Sequence, residues 1–345
     1  MILWLLGNYN PSAYVRGYGY KNFTTNNKIK YINFDNLKFK FDFIIRLKNL
    51  LQFIYIMFWI VFLKNSYIII ERDLPMRLLQ IFERIIPYFS LHFRIVYDFD
   101  DAMWLDEFIG PRKFSRILNL AGKVICDNKL QLKFLQDNGI DKQILVLPGL
   151  LPNLNNPFTM SSSSSKQRTN ICYIGTPSTL SFLTQYSAGL QLFLEKYPHV
   201  KLVLLGKFQK SALPLSLLDK IEIRDIDFPL SIQNVDDIYL GFAPLINDDK
   251  NSYYRGLHKY RVYSSLGLPS LCSNYGEAQF NLIDEVDCYM FDEHDNLFDK
   301  LEEIYNDEYT WHQIKKRCLR RFNPEAFNHQ NYTELQNFLF GKSVC

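Results

Sequence analysis

The sequence predicts an α/β protein built from two doubly wound, Rossmann-like domains, and three observations carry that expectation. Short β-branched apolar runs alternate with amphipathic stretches along most of the chain, the pattern of parallel strands joined by helices. The chain has 345 residues, more than one ordinary core accommodates and about right for two. A serine run at 161–165, followed by Lys166, Gln167 and Arg168, has too little apolar content to pack and reads as a linker. On this basis residues 1–158 form a first domain, 159–168 the linker, 169–325 a second domain and 326–345 a C-terminal tail.

Taken in order, residues 2–6 form a strand that leads into Gly7, Asn8, Tyr9, Asn10 and Pro11, a turn able to bring backbone close to a ligand. Residues 38–64 are basic and then apolar, and read as a helix. A strand is expected at 66–72, an amphipathic helix at 76–88 and a strand at 93–97. Asp98, Asp100 and Asp101 follow that strand, at the end where open parallel sheets bind ligands. A strand at 121–128, a helix at 130–137 and a strand at 143–147, stopped by Pro148 and Gly149, complete the first half.

The second half repeats the pattern. Residues 171–174 form a strand, Gly175, Thr176, Pro177, Ser178 and Thr179 a tight loop into a helix, and 200–205 and 221–226 two more strands. The loop's N–H groups and hydroxyls suit a phosphate or a sugar, although Thr-Pro-Ser-Thr is also an ordinary helix start. The apolar run 238–245 ends at Pro244 and the polar cluster Asn247, Asp248, Asp249 and Lys250, as a buried strand entering a loop does. Arg255, Gly256, His258 and Lys259 come next, at the start of a helix that Gly267 closes and Pro269 stops from continuing. Cations and free N–H groups at a helix N-terminus suit a phosphate. A strand at 270–273, the run 289–291, helices over 297–305 and 311–321 and a tail apolar on one face at 332–340 finish the chain.

Composition narrows the class. Hydrophobic residues make up 48% and charged residues 22%, as in a soluble globular protein. The high aromatic content, with 28 Phe and 22 Tyr, fits a base-composition bias. The six cysteines, at 126, 172, 272, 288, 318 and 345, show no CxxC spacing, so they read as small buried hydrophobes in a reducing cytoplasm and suggest no zinc site. The start lacks a charged region before its apolar run, so no signal peptide is expected. The apolar stretch 50–63 is too short to span a bilayer and fits a buried or interfacial helix. The net charge of +3 conceals an asymmetry: residues 1–64 hold nine Lys or Arg against Asp35 and Asp42. Such a basic lobe suits anionic lipid headgroups, a lipid diphosphate or an acidic glycan, or is a solvated surface. No nucleic-acid partner is expected.

Three blocks carry a family resemblance. Pro244 to Asn274, with its PL-x-x-DD, RG-x-x-K-Y and YSSLGLPSLCSN segments, resembles the donor-sugar segment of family-four-like glycosyltransferases of the GT-B type. Tyr173-Ile-Gly-Thr-Pro-Ser-Thr179 resembles that family's turn at the start of its C-terminal domain. Arg94-Ile-Val-Tyr-Asp-Phe-Asp-Asp-Ala-Met-Trp104 resembles its DfDDA segment. The resemblance implies the GT-B arrangement, two facing Rossmann-like domains with a cleft between them and the tail packed back on the first. It also implies a nucleotide-diphosphate sugar as donor, a glycan or lipid-linked acceptor, retention of anomeric configuration and no bound metal. Gly175, Thr176, Ser178, Thr179, Arg255, Gly256 and Lys259 become the donor-side residues, and Gly7, Asn8 and Arg16 the acceptor-side residues; Arg16 is otherwise one more basic surface residue. Asp100 and Asp101 orient the acceptor or take its proton, or else cap a helix containing Ala102 and Trp104. Lys259, with Arg255 and the Gly175 loop, meets the charge that develops on the departing diphosphate.

One departure matters. Where many relatives carry two glutamates eight positions apart, this chain has Tyr254 and Val262. A non-catalytic nucleotide-sugar or glycan-binding protein is therefore one alternative, and a sugar-nucleotide epimerase of similar architecture another. The reading places the protein in the cytoplasm, peripheral on the inner face of a membrane, and in surface-polysaccharide or glycoconjugate synthesis.

Overall fold

The computed structural model describes residues 2–6, 15–23, 29–33, 55, 66–88, 91–152, 170–226 and 235–341. The expected acceptor-side residues Gly7 and Asn8, nearly all of the apolar stretch 50–63 and the serine run lie outside the described residues. The chain divides into two compact units. The first comprises Met1–Leu150, Tyr254–Gly256 and Asn328–Cys345, and the second Leu151–Tyr253 and Leu257–Phe327.

In the first unit, β1 (Ile2–Leu6), β2 (Ile29–Asn33), β3 (Tyr67–Glu71), β4 (Ile95–Phe99), β5 (Lys123–Cys126) and β6 (Gln143–Val146) form a six-stranded parallel sheet in the order β2-β1-β3-β4-β5-β6. Its central strands are buried on both faces, which is why they read as continuous apolar runs instead of alternating ones. Side-chain alternation along each strand makes two cores. Leu3, Leu5, Ile68, Ile70 and Tyr97 face α1 (Met76–Tyr88) and α2 (Gly110–Leu120), whose Leu79, Phe82, Ile86, Ile117 and Leu118 are buried. Trp4, Leu6, Ile69, Val96 and Ile125 face Leu335 and Leu339 of the C-terminal helix Pro324–Phe340. Lys123 Nζ fastens that helix by donating to the carbonyls of Phe338 and Leu339. α3 (Lys129–Asp137) is capped by Asn128, whose side chain accepts from Gln131 N at 3.0 Å.

The structure departs from the sequence reading in two places here. No strand was foreseen at β2, because Ile-Lys-Tyr-Ile-Asn is short and polar in the manner of an edge strand. No helix covers Ala102 and Trp104. That stretch turns twice, through Met103 N to Asp101 O at 2.8 Å and Leu105 N to Ala102 O at 2.7 Å. Helix α2 starts only at Gly110, which takes φ +62° ahead of Pro111, a residue suited to a first helical turn.

In the second unit, β7 (Asn170–Ile174), β8 (Lys201–Leu205), β9 (Ile221–Arg224), β10 (Ile238–Ala243), β11 (Ser270–Ser273) and β12 (Tyr289–Phe291) form a parallel sheet in the order β12-β11-β10-β7-β8-β9. Strand order reverses between β7 and β10, so the crevice beyond their carboxyl ends is the topological switch point of this sheet. Helices α4 (Leu180–Gln185), α5 (Ser187–Lys196), α6 (Lys250–Tyr253), α7 (His258–Ser265) and α8 (Glu277–Asn281) lie between the strands, and α9 (Leu297–Asn306) and α10 (Glu308–Arg321) follow the last of them. α6 occupies what the sequence suggested was only a polar loop. Asp249 starts it, accepting from Asn251 N and the Ser252 hydroxyl at 3.0 and 2.9 Å. The five cysteines among the described residues are free and buried. Among the described residues, no helix is long and apolar enough to cross a membrane.

Candidate functional site

The second unit brings Lys259 and the Gly175 loop together at the switch point. Gly175 N still donates to Leu205 O at 3.2 Å, so the loop leaves the sheet tied to β8. Next to it Gly206, at φ +146°, approaches so closely that a Cβ there would lie 2.3 Å from Gly175 O; only glycine tolerates this. A Cβ on Gly175 would in turn meet Tyr173 Cε1 at 2.6 Å and Thr179 Oγ1 at 2.7 Å. The turn is held from inside. Tyr173 OH donates toward Thr179 O at 2.7 Å and Thr179 Oγ1 at 2.8 Å, and Thr179 Oγ1 accepts from Thr176 N at 3.3 Å. The hydroxyls of Thr176 and Ser178 bond one another at 2.8 Å on the exposed side.

Lys259 is the second residue of α7. Its Nζ stands 3.9 Å from the centroid of the Tyr173 ring and 5.8 Å from that of Phe182. Tyr173 thus carries the ammonium on its face and the loop on its hydroxyl, which keeps the charge beside the loop. Leu257, at the N-cap of α7, provides no side-chain cap, so the positive end of the helix dipole adds to the same region.

Arg255 and Gly256 belong to the first unit. A Cβ on Gly256 would fall 1.7 Å from Asp127 Oδ2, so this backbone lies flat against the end of β5. Asn128 Nδ2 and Gln131 Nε2 both donate to Tyr254 O, at 2.8 and 3.0 Å. The Tyr254 ring packs edge-on against Trp104 at 5.0 Å and Phe134 at 5.8 Å. Val262 is buried in the second unit's core. Tyr254 and Val262, which stand where the resemblance would put glutamates, therefore serve packing here.

The first unit gathers its charges at the carboxyl ends of β3, β4 and β5. Arg16 is buried, pairs with Asp98 and with Asp127 Oδ1 at 3.4 Å, and donates to the Leu147 carbonyl. Burial pushes the Asp98 carboxyl up to about 6, against the opposing pull of Arg16. Asp100 and Asp101 flank a cation that the sequence did not single out. Arg72 Nη1 lies 3.4 Å from Asp100 Oδ1, and Arg72 Nη2 lies 3.0 Å from Asp101 Oδ2. Burial works against the Arg72 charge, but the two carboxylates outweigh it and hold its pKa above the ordinary value. Arg72 sits at φ +57°, a conformation that costs a non-glycine residue about 1 kcal/mol or more. Tyr97 OH on Arg72 O at 2.9 Å and Arg72 N on Asp98 O at 2.8 Å maintain it. The only sequence signal for Arg72 was its place as the last residue of the strand expected at 66–72; the observed strand stops one residue before it.

Solved structures decide the fold. A glycosyltransferase from Rickettsia africae matches 99% of this chain and 99% of its own at 12% identity and a TM-score of 0.62. HepE from Anabaena, in complex with UDP and glucose, matches 97% of this chain and 99% of its own at 14% identity and a TM-score of 0.63. The chain has the GT-B glycosyltransferase fold. The pneumococcal O-GlcNAc transferase GtfA, solved with UDP and GlcNAc, matches 80% of this GT-B chain and 56% of its own at 11% identity and a TM-score of 0.53. No family model and no curated protein matches the sequence.

Proposed function

We propose that this GT-B protein is a glycosyltransferase that moves a sugar from a nucleotide-diphosphate sugar to a glycan or lipid-linked acceptor, with retention of configuration, in surface-polysaccharide or glycoconjugate synthesis. The observation that carries the reading is Lys259: a cation near the N-terminus of α7, held on the Tyr173 ring beside the Gly175 loop at the switch point. Solved proteins of the same fold hold UDP and sugars. In the proposed reaction the bond between the sugar C1 and the diphosphate oxygen breaks, a bond from C1 to an acceptor oxygen forms, and the acceptor proton passes to a base. The departing diphosphate gains negative charge, and Lys259 with the loop and helix N–H groups stabilises it electrostatically. That supply of positive charge is the reason no metal is assigned to the reaction.

Asp100 and Asp101 are the carboxylates we assign to the acceptor hydroxyl, with Arg72 fixing their orientation. A cytoplasmic protein peripheral to an anionic membrane is the location this reading favours, supported by the basic character of residues 1–64. Tyr254 and Val262 favour a second reading, a binding protein without turnover. Incubation with a panel of nucleotide sugars, measuring nucleoside diphosphate release with and without glycan and lipid acceptors, separates the two. Release from at least one donor is the expected result. Tight binding without release establishes the binding protein, and neither binding nor release overturns both readings.

A further inference from the structure

The second sheet splits at its centre, and one buried side chain spans the split. β7 stays paired with β8 as far as Ile174 with Leu205, and β10 stays paired with β11 as far as Ala243 with Cys272. The ladder between β7 and β10 ends earlier, at Cys172 with Gly241. Backbone groups beyond that point lose their cross-strand partners, at a depth where an unpaired N–H is costly. The Tyr263 hydroxyl occupies the gap. It accepts from Ile174 N at 2.9 Å and lies within donating distance of Phe242 O at 3.0 Å and Cys172 O at 3.2 Å. The ring reaches this place only because residue 241 is glycine, since a Cβ there would be 2.4 Å from Tyr263 Cγ.

Tyr263 also lies four residues after Lys259 in α7, so the two side chains stack on one face of the helix. Through Tyr263 the helix holds the backbone of Cys172 and Ile174, and through Lys259 it rests on the ring of Tyr173 between them. We infer that Tyr263 is the positioning residue of the site: its hydroxyl sets where α7 meets the end of β7, and with it the distance from the Lys259 ammonium to the N–H groups of the Gly175 loop. The inference rests on the reading of Lys259 and that loop as a diphosphate site. A helix displaced by a fraction of an ångström would leave the protein folded and the charge misplaced.

The test uses the whole chain and inorganic pyrophosphate, which probes the diphosphate site independently of any base. Pyrophosphate affinity by calorimetry and thermal stability are measured for wild type, Tyr263→Phe and Trp311→Phe. Trp311 donates a comparable buried bond to Tyr239 O at 2.8 Å at the opposite end of β10, so its variant reports what general loosening of the sheet does. Tyr263→Phe should weaken pyrophosphate binding about tenfold, and Trp311→Phe should leave it within about twofold of wild type while losing thermal stability. Gly241→Ala keeps the hydroxyl but displaces the ring, and should weaken binding as Tyr263→Phe does. It serves as the binding variant if Tyr263→Phe does not fold. Wild-type affinity in a folded Tyr263→Phe, or in Gly241→Ala where Tyr263→Phe does not fold, overturns the positioning role and leaves the diphosphate site standing. Equal weakening in Trp311→Phe also overturns it. A wild type that does not bind pyrophosphate overturns both the role and the site.

Discussion

Arg16→Met removes a guanidinium whose side chain is 1% exposed and which serves three acceptors: the Asp98 carboxylate, Asp127 Oδ1 and the Leu147 carbonyl. Methionine fills much of the same volume, so the loss is one of charge and hydrogen bonding more than of space. Two buried carboxylates lose their cation, and breaking such a set costs about 3–5 kcal/mol. With a urea m-value of about 2 kcal/mol/M, the midpoint for the first unit should fall by about 2 M. Asp98 makes the loss depend on pH. Its folded carboxyl titrates at about 6 against an ordinary 3.8. Between those values the folded state holds a proton that the unfolded chain has released, so wild-type stability falls as pH rises through that window and is level above it. Without Arg16 the carboxyl rises further and the window extends upward, so the deficit of the variant is larger at pH 8 than at pH 5. Urea titrations at the two pH values, followed by circular dichroism, measure this. A loss below about 1 kcal/mol at pH 8, the range of an exposed ion pair, would refute the reasoning. So would a deficit that does not grow with pH.

Lys259→Met keeps the stem on Tyr173 and removes the charge. Nucleoside diphosphate affinity should fall about tenfold to a hundredfold, as expected for one charge-assisted hydrogen bond, with nucleoside affinity unchanged; equal diphosphate affinity by calorimetry would make the residue a packing element only. Asp100→Asn and Asp101→Asn should lower turnover, about 10²–10⁴-fold for whichever acts as base, with donor affinity near wild type. Turnover unchanged in both, alongside a lower melting temperature, would reduce the pair to partners of Arg72. Gly175→Ala places a Cβ 2.6 Å from Tyr173 Cε1 and should cost about 1–3 kcal/mol together with most of the diphosphate affinity. Wild-type affinity in a stably folded variant would show that the loop takes no part in binding.

Much of the architecture was legible because parallel strands buried on both faces leave uninterrupted apolar runs such as Tyr-Ile-Ile-Ile at β3 and Leu-Val-Leu-Leu at β8. Helix α1 was legible because Leu78, Leu79, Phe82 and Ile86 repeat at the helical period. β2 was not, since an edge strand buries too little to need an apolar run. The expected helix over Ala102 and Trp104 failed because local composition says nothing of Arg72, nearly thirty residues earlier, which engages Asp100 and Asp101.

The sequence by itself determined the class of the fold, the strand that carries the Gly175 loop and the helix that carries Lys259, since each depends on periodicity and on glycine or proline stops. Only the tertiary structure decided which charges serve which purpose. Arg16, Lys259 and Arg72 are all basic residues beside loops, and nothing local separates them. Arg16 is enclosed by Asp98 and Asp127, Arg72 is placed between two carboxylates by a left-handed backbone, and Lys259 rests on an aromatic face beside the Gly175 loop. The free energy of a charge depends on its burial and on the sign of its neighbours, and both come from residues distant in the chain.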